Sequence, residues 1–124
     1  MPKVWLALFV IFSIAGCYYD SEEYLFPQIN NQCDTTSVTY SVSIQPVLEQ
    51  YCYQCHNNAN ASIFGGNIKL EDYSDVIIRV NDGRLYGSVA HENGFSPMPK
   101  DGGMLDDCFI QKLSIWIDAG APNN

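Results

Sequence analysis

The chain has 124 residues, 47% of them hydrophobic, and a formal charge of −8 from six basic and fourteen acidic side chains. That length holds one domain with a limited core, and domains so small usually recruit extra stabilisation. The acidic balance excludes a nucleic-acid-binding surface, which needs clustered Lys and Arg, and suits a solvated surface or a basic protein partner.

Lys3 forms a short basic lead, and Val4 to Ile14 is an apolar run too short to span a bilayer. Ile14-Ala15-Gly16-Cys17 follows, and small residues before a cysteine resemble the lipobox of bacterial lipoproteins. The resemblance implies a signal peptide over 1–16 and a lipid-carrying Cys17 that anchors the chain to a membrane. The alternative is an ordinary secretory signal. The lipoprotein reading places the chain, lipid-anchored, in the oxidising bacterial cell envelope, on the periplasmic side or the outer surface. Loss of Lys3 leaves five basic against fourteen acidic residues. Residues 17–37 read as an acidic flexible tether, with Asp20, Glu22 and Glu23 and then Pro27, Asn30, Asn31 and Asp34 breaking periodicity.

The first helix starts at Ser43 as N-cap, with Pro46 in its first turn. Ile44, Val47, Leu48, Tyr51, Cys52 and Cys55 share one face, so aliphatic packing and both cysteines lie on the same side. The helix ends in Cys52-Tyr53-Gln54-Cys55-His56. This C-x-x-C-H spacing is the attachment pattern for one covalent haem c. Each thiol adds to one porphyrin vinyl group, and the adjacent imidazole becomes the proximal iron ligand. C-x-x-C alone also serves zinc sites and thioredoxin-like centres. A zinc site would draw a fourth ligand from Cys33, Cys108 or His91, and a thioredoxin-like enzyme would want strands alternating with helices.

Residues 57–62 are polar and small, and Gly65-Gly66 turns the chain. Ile68-Lys69-Leu70 alternates like a short extended piece. Asp72 or Ser74 caps a helix carrying Val76, Ile77 and Val80, ending at Asn81-Asp82-Gly83. Arg84 to His91 forms another, burying Leu85, Tyr86 and Val89. His91 is either an exposed histidine or a second axial ligand. In Pro97-Met98-Pro99 two prolines restrict the methionine backbone. That suits Met98 as the distal iron ligand, with Met104 the rival and a plain loop methionine the bland alternative. Methionine opposite histidine raises the reduction potential. Asp106 caps the last helix, whose apolar face is Phe109, Ile110, Leu113, Trp116 and Ile117, and Gly120 and Pro122 end it. Its expected partner is the haem-bearing helix.

Together, Ile44-Gln45-Pro46-Val47-Leu48, the C-x-x-C-H run, Met98-Pro99-Lys100-Asp101-Gly102-Gly103-Met104-Leu105 and Leu113 to Pro122 make residues 38–124 resemble the class I c-type cytochromes. More closely, they are similar to short single-haem domains in bacterial envelope lipoproteins and larger secreted proteins. The resemblance implies an all-α small cytochrome c fold, with three to five helices around one covalent haem and first and last helices crossing. It also implies iron held by His56 and Met98, and one-electron transfer with other redox proteins as donors and acceptors, without a catalytic role of its own. The sequence departs from the family at Ile44, where many members carry glycine so that the last helix can approach closely.

Of five cysteines, Cys17 goes to lipid, and Cys52 and Cys55 to haem. Cys33 and Cys108 remain, a disulfide in an oxidising compartment or two free thiols. The functional alternative within haem chemistry is an enzyme or gas sensor with an open sixth position.

Overall fold

The computed structural model of the protein describes residues 33–124. The signal segment 1–16, Cys17 and tether residues 17–32 lie outside the described residues. Among the described residues 47% are helical and none lies in a strand.

The first helix opens four residues before the expected cap. Thr39 has the extended backbone of an N-cap, and its hydroxyl accepts from Val42 N at 3.3 Å. Ser43 is not the cap. It lies inside the helix, and its Oγ accepts from Thr39 N at 3.3 Å. Two further donors of the first turn are met by Asn124, whose Oδ1 accepts from Tyr40 N and whose backbone oxygen accepts from Ser41 N, both at 2.9 Å. Groups that a helix start leaves unpaired are thus satisfied from the far end of the chain.

Residues Tyr40–Ile44 form a π turn, with the Gln45 N–H bonded to Tyr40 O. Pro46 accounts for it. A proline lacks the N–H, and its ring crowds the carbonyl one turn back, so a wider turn just ahead relieves the clash. Helix α1 then runs Gln45–Tyr51, breaks for one residue at Cys52, and continues as α2, Tyr53–His56. The stripe of α1 is narrower than its spacing suggested. Ile44 and Leu48 are fully buried, Val47 and Cys52 pack against the core, but Tyr51 is exposed.

Helix α3 spans Tyr73–Asn81 and α4 spans Arg84–Val89. Asp72 holds the N-cap position of α3 without capping it, because its carboxylate accepts from Asn58 Nδ2 at 3.0 Å instead. Gly83, at φ 75, makes the sharp turn between the two helices, a conformation open to glycine at little cost.

Helix α5 spans Asp107–Asp118 and follows its sequence signals closely. Asp106 Oδ1 accepts from Phe109 N at 2.9 Å, an N-cap bond. At the other end Gly120 N reaches Ile117 O, and Ala121 N reaches Trp116 O, each at 2.9 Å. These two bonds are the Schellman closure that a glycine in the left-handed region permits. Trp116 Nε1 donates to Pro122 O at 2.9 Å, so the helix end folds over its own tryptophan.

The first and last helices meet at the π turn rather than at the cysteine-bearing end of α1. Tyr40 stacks on Trp116 at 5.4 Å between ring centroids and meets Tyr73 edge-on at 5.1 Å. Ile44, Leu113 and Trp116 are wholly removed from solvent in this cluster. Helix α4 packs on both α3 and α5. The Tyr40 hydroxyl is buried without a partner, and burial raises its pKa, keeping it neutral.

Candidate functional site

The Cys52–His56 run lies where α1 gives way to α2. His56 N–H bonds Cys52 O at 2.9 Å, so the chain keeps a helical turn across the break and both cysteines stay on one short arc. Cys52 and Cys55 are free and half-buried. Burial pushes the Cys52 thiol up to about 11. A thiol held protonated at neutral pH is the opposite of an activated redox cysteine, whose pKa is lowered by neighbouring positive charge.

His56 is 9% exposed, the one buried polar or charged residue in the described part of the chain. Its Nδ1 lies 2.9 Å from Ile68 O. A carbonyl only accepts, so Nδ1 carries the hydrogen and Nε2 is left with its lone pair. A histidine oriented by a backbone carbonyl through one nitrogen is set up to ligate through the other. The expected strand-like piece Ile68-Lys69-Leu70 forms no strand and serves this residue instead. Leu70 N donates to His56 O at 2.9 Å, so both the ring and the backbone of His56 are held by the returning chain.

Gly65 lets that return come close. A Cβ there would sit 2.5 Å from Cys55 O, 2.9 Å from His56 Nδ1 and 3.0 Å from Ala61 Cα. None of these is the loose end of a flexible side chain. Gly65→Ala is therefore expected to destabilise the protein by about 1–3 kcal/mol, the usual range for overpacking. Urea unfolding checks it, and a loss below about 0.5 kcal/mol would show that the loop yields freely. The same loop carries Ile63 and Phe64, two large apolar side chains that are 70% and 68% exposed among the described residues.

Met98 sits in the loop after α4, half-buried, with its backbone held on both sides. Its N–H donates to Ser88 O at 3.0 Å, and its carbonyl lies 3.1 Å from His91 Nε2. Met104 is more exposed, at 52%. His91 is half-buried, engaged with Met98 and in the left-handed region at φ 52, so the exposed histidine expected from its neighbours is not what is found. Cys33 and Cys108 are joined, with sulfurs 2.08 Å apart. Both are therefore spent as donors, which leaves a zinc site without two of its three proposed fourth ligands. No group of three or more His, Cys, Asp or Glu side chains converges on a metal position among the described residues.

Asn124 and Gly65 are structural contributors that residue type alone did not flag. The double glycine at 65–66 was legible as a turn, and its spacing after His56 was the available clue to a close approach. No protein family, curated protein or solved structure matches this chain.

Proposed function

We propose that the chain is a mono-haem c-type cytochrome passing single electrons in the bacterial cell envelope, with haem carried by Cys52 and Cys55. The observation that carries the proposal is His56, buried inside a C-x-x-C-H run with Nδ1 given to Ile68 O and Nε2 free. The residues fit the group in three further ways. The two cysteines are free and share a short arc, Gly65 brings the covering loop against the histidine, and that loop carries the exposed Ile63 and Phe64. Bound haem supplies a one-electron iron couple.

The chain's own residues then have separate tasks. Cys52 and Cys55 fix the group to the chain. Ile68 O orients His56 and makes its imidazole more basic. Met98, held through both of its backbone polar groups, is the proposed distal ligand, and its thioether favours the reduced state. The finer fold proposed is that of a small cytochrome c, and the contact between the start of the first helix and α5 supports it. With Ile44 where family members carry glycine, the two helices hold each other through side chains. Cys17 is proposed as the lipid anchor, and the acidic balance suits basic redox partners.

The test is the optical spectrum of the mature protein, oxidised and reduced, made alongside haem-maturation machinery, followed by pyridine treatment. A haemochrome is expected, and a colourless product would end the proposal. Met98→Ala should lower the reduction potential and let the reduced protein bind carbon monoxide. A potential and spectrum unchanged by that substitution would remove Met98 from the iron. Carbon monoxide binding by the native reduced protein would point to a gas-binding site.

A further inference from the structure

The loop that carries Met98 is fastened back onto α4 and the residues that flank it. The Met98 N–H is on Ser88 O at 3.0 Å, and the Met98 carbonyl is on His91 Nε2 at 3.1 Å. Phe95 lies against Gly87, where a Cβ would overlap its ring, and its Cζ is 3.8 Å from the place a Gly83 Cβ would take. The loop's aromatic plug thus sits over two glycines. The fourth observation is strain. His91 has φ 52, a region that penalises any residue with a Cβ and that glycine enters freely. Strained backbone persists where surrounding contacts over-determine it.

We infer that His91 is a positioning residue for Met98. Its Nε2–H holds the Met98 carbonyl while Ser88 holds the Met98 amide. With both flanking peptide planes fixed, and prolines at 97 and 99 restricting the neighbours, the direction in which the thioether leaves the backbone is set. The inference rests on Met98 being the distal ligand. It assigns His91 a place behind the ligand, with Nε2 committed to the carbonyl and so not to the iron. An oriented outer partner of this kind raises ligand affinity without touching the metal.

The experiment compares the mature haem-loaded native protein with His91→Gly, His91→Gln and Met98→Ala. Glycine suits the left-handed turn and removes the imidazole, so a merely structural role for His91 predicts an equal or firmer fold and an unchanged iron site. Glutamine returns an N–H donor at similar reach. Three signals are read: the sulfur-to-iron absorption of the oxidised protein, the reduction potential, and the carbon monoxide affinity of the reduced protein. In His91→Gly the sulfur absorption should weaken, the potential fall, and carbon monoxide bind about three- to tenfold more tightly, the worth of one neutral hydrogen bond. His91→Gln should recover part of each change. In the native reduced protein, nitrogen-15 spectra should show the His91 ring proton on Nε2. The inference is overturned if His91→Gly stays within about twofold of native on affinity, with the other two signals unmoved, while Met98→Ala loses them. It is overturned equally if the ring proton is found on Nδ1, a measurement that needs no variant to fold. If Met98→Ala itself changes nothing, ligation by Met98 fails first, and that failure is readable separately.

Discussion

If the chain carries haem as proposed, serine at both Cys52 and Cys55 will leave the mature protein without covalent haem and with a weaker fold. Thioether bonds need the two sulfurs, and serine oxygens do not replace them. His56 would remain, with its Nε2 free, so a loosely held haem can still colour the double variant. The discriminating measurement is therefore haem staining after denaturing electrophoresis, paired with intact mass. The native protein should keep both stain and added mass, each single variant should keep less, and the double variant none. The weaker fold follows from size. The described part of the chain has a core built on a few large side chains, chiefly Trp116, Ile44, Leu48 and Leu113. Ile63 and Phe64 add exposed apolar surface that no other described residue covers. Covering two large apolar side chains is worth about 1.5–3 kcal/mol each at full burial, so a partial share of that is the expected loss on thermal or urea unfolding. Haem stain that persists in the double variant would rule out attachment through these cysteines. Disulfide exchange activity in the native protein would instead favour a dithiol, against the protonated state to which burial holds Cys52.

How much of this was legible depends on how local each signal is. Helix α5 could be read almost to the residue, because its cap, its stripe and its stop each lie within a turn of the residue they act on: Asp106 for Phe109, Gly120 for Trp116 and Ile117. The start of the first helix could not. Ser43 is a good cap type in a good position ahead of Pro46, but local preference lost to tertiary contact. Stacking of Tyr40 on Trp116 and bonding of Tyr40 and Ser41 to Asn124 draw the helix start back to Thr39. The candidate site divides the same way. Its C-x-x-C-H run is contiguous and announces itself. The orientation of His56 depends on the carbonyl of Ile68, and every residue has a carbonyl, so no side-chain pattern marks that partner. His91 reads as a polar surface residue because its contact, again a carbonyl, appears only once the Met98 loop has folded back on α4. Parity of cysteines singled out Cys33 and Cys108 as a pair, and the structure brings their sulfurs together across 75 residues of chain.

Replacing Cys33 and Cys108 by serine will lower the unfolding free energy by about 2–4 kcal/mol and leave the optical spectrum unchanged. The loop-entropy relation applied to a closure of this length gives a ceiling of about 4.5 kcal/mol, because the link mainly restricts the unfolded chain. The melting midpoint should fall by on the order of 10–20 °C for a domain this size. The spectrum should not move because the link lies away from the cysteine–histidine run. Cys108 is in the first turn of α5, beside Asp34, Val42, Val47 and Phe109, around a cleft of about 380 Å³ that Cys52, Cys55 and His56 do not line. What the link holds is the lead into the first helix. Between Cys33 and Thr39 the side-chain hydrogen bonds are local, chiefly the Asp34 carboxylate with Thr36. Its carboxyl sits below the ordinary range because of those bonds, but the group is exposed and contributes little to the fold. Without the bridge this lead should loosen first, so amide exchange should rise across residues 34–38 before it rises in α5. Native protein whose two thiols both react with an alkylating reagent before reduction would show that no bridge forms. Where the native thiols resist alkylation, a double variant as stable as the native protein would show that the bridge restrains a chain already held by the Tyr40–Trp116 contact.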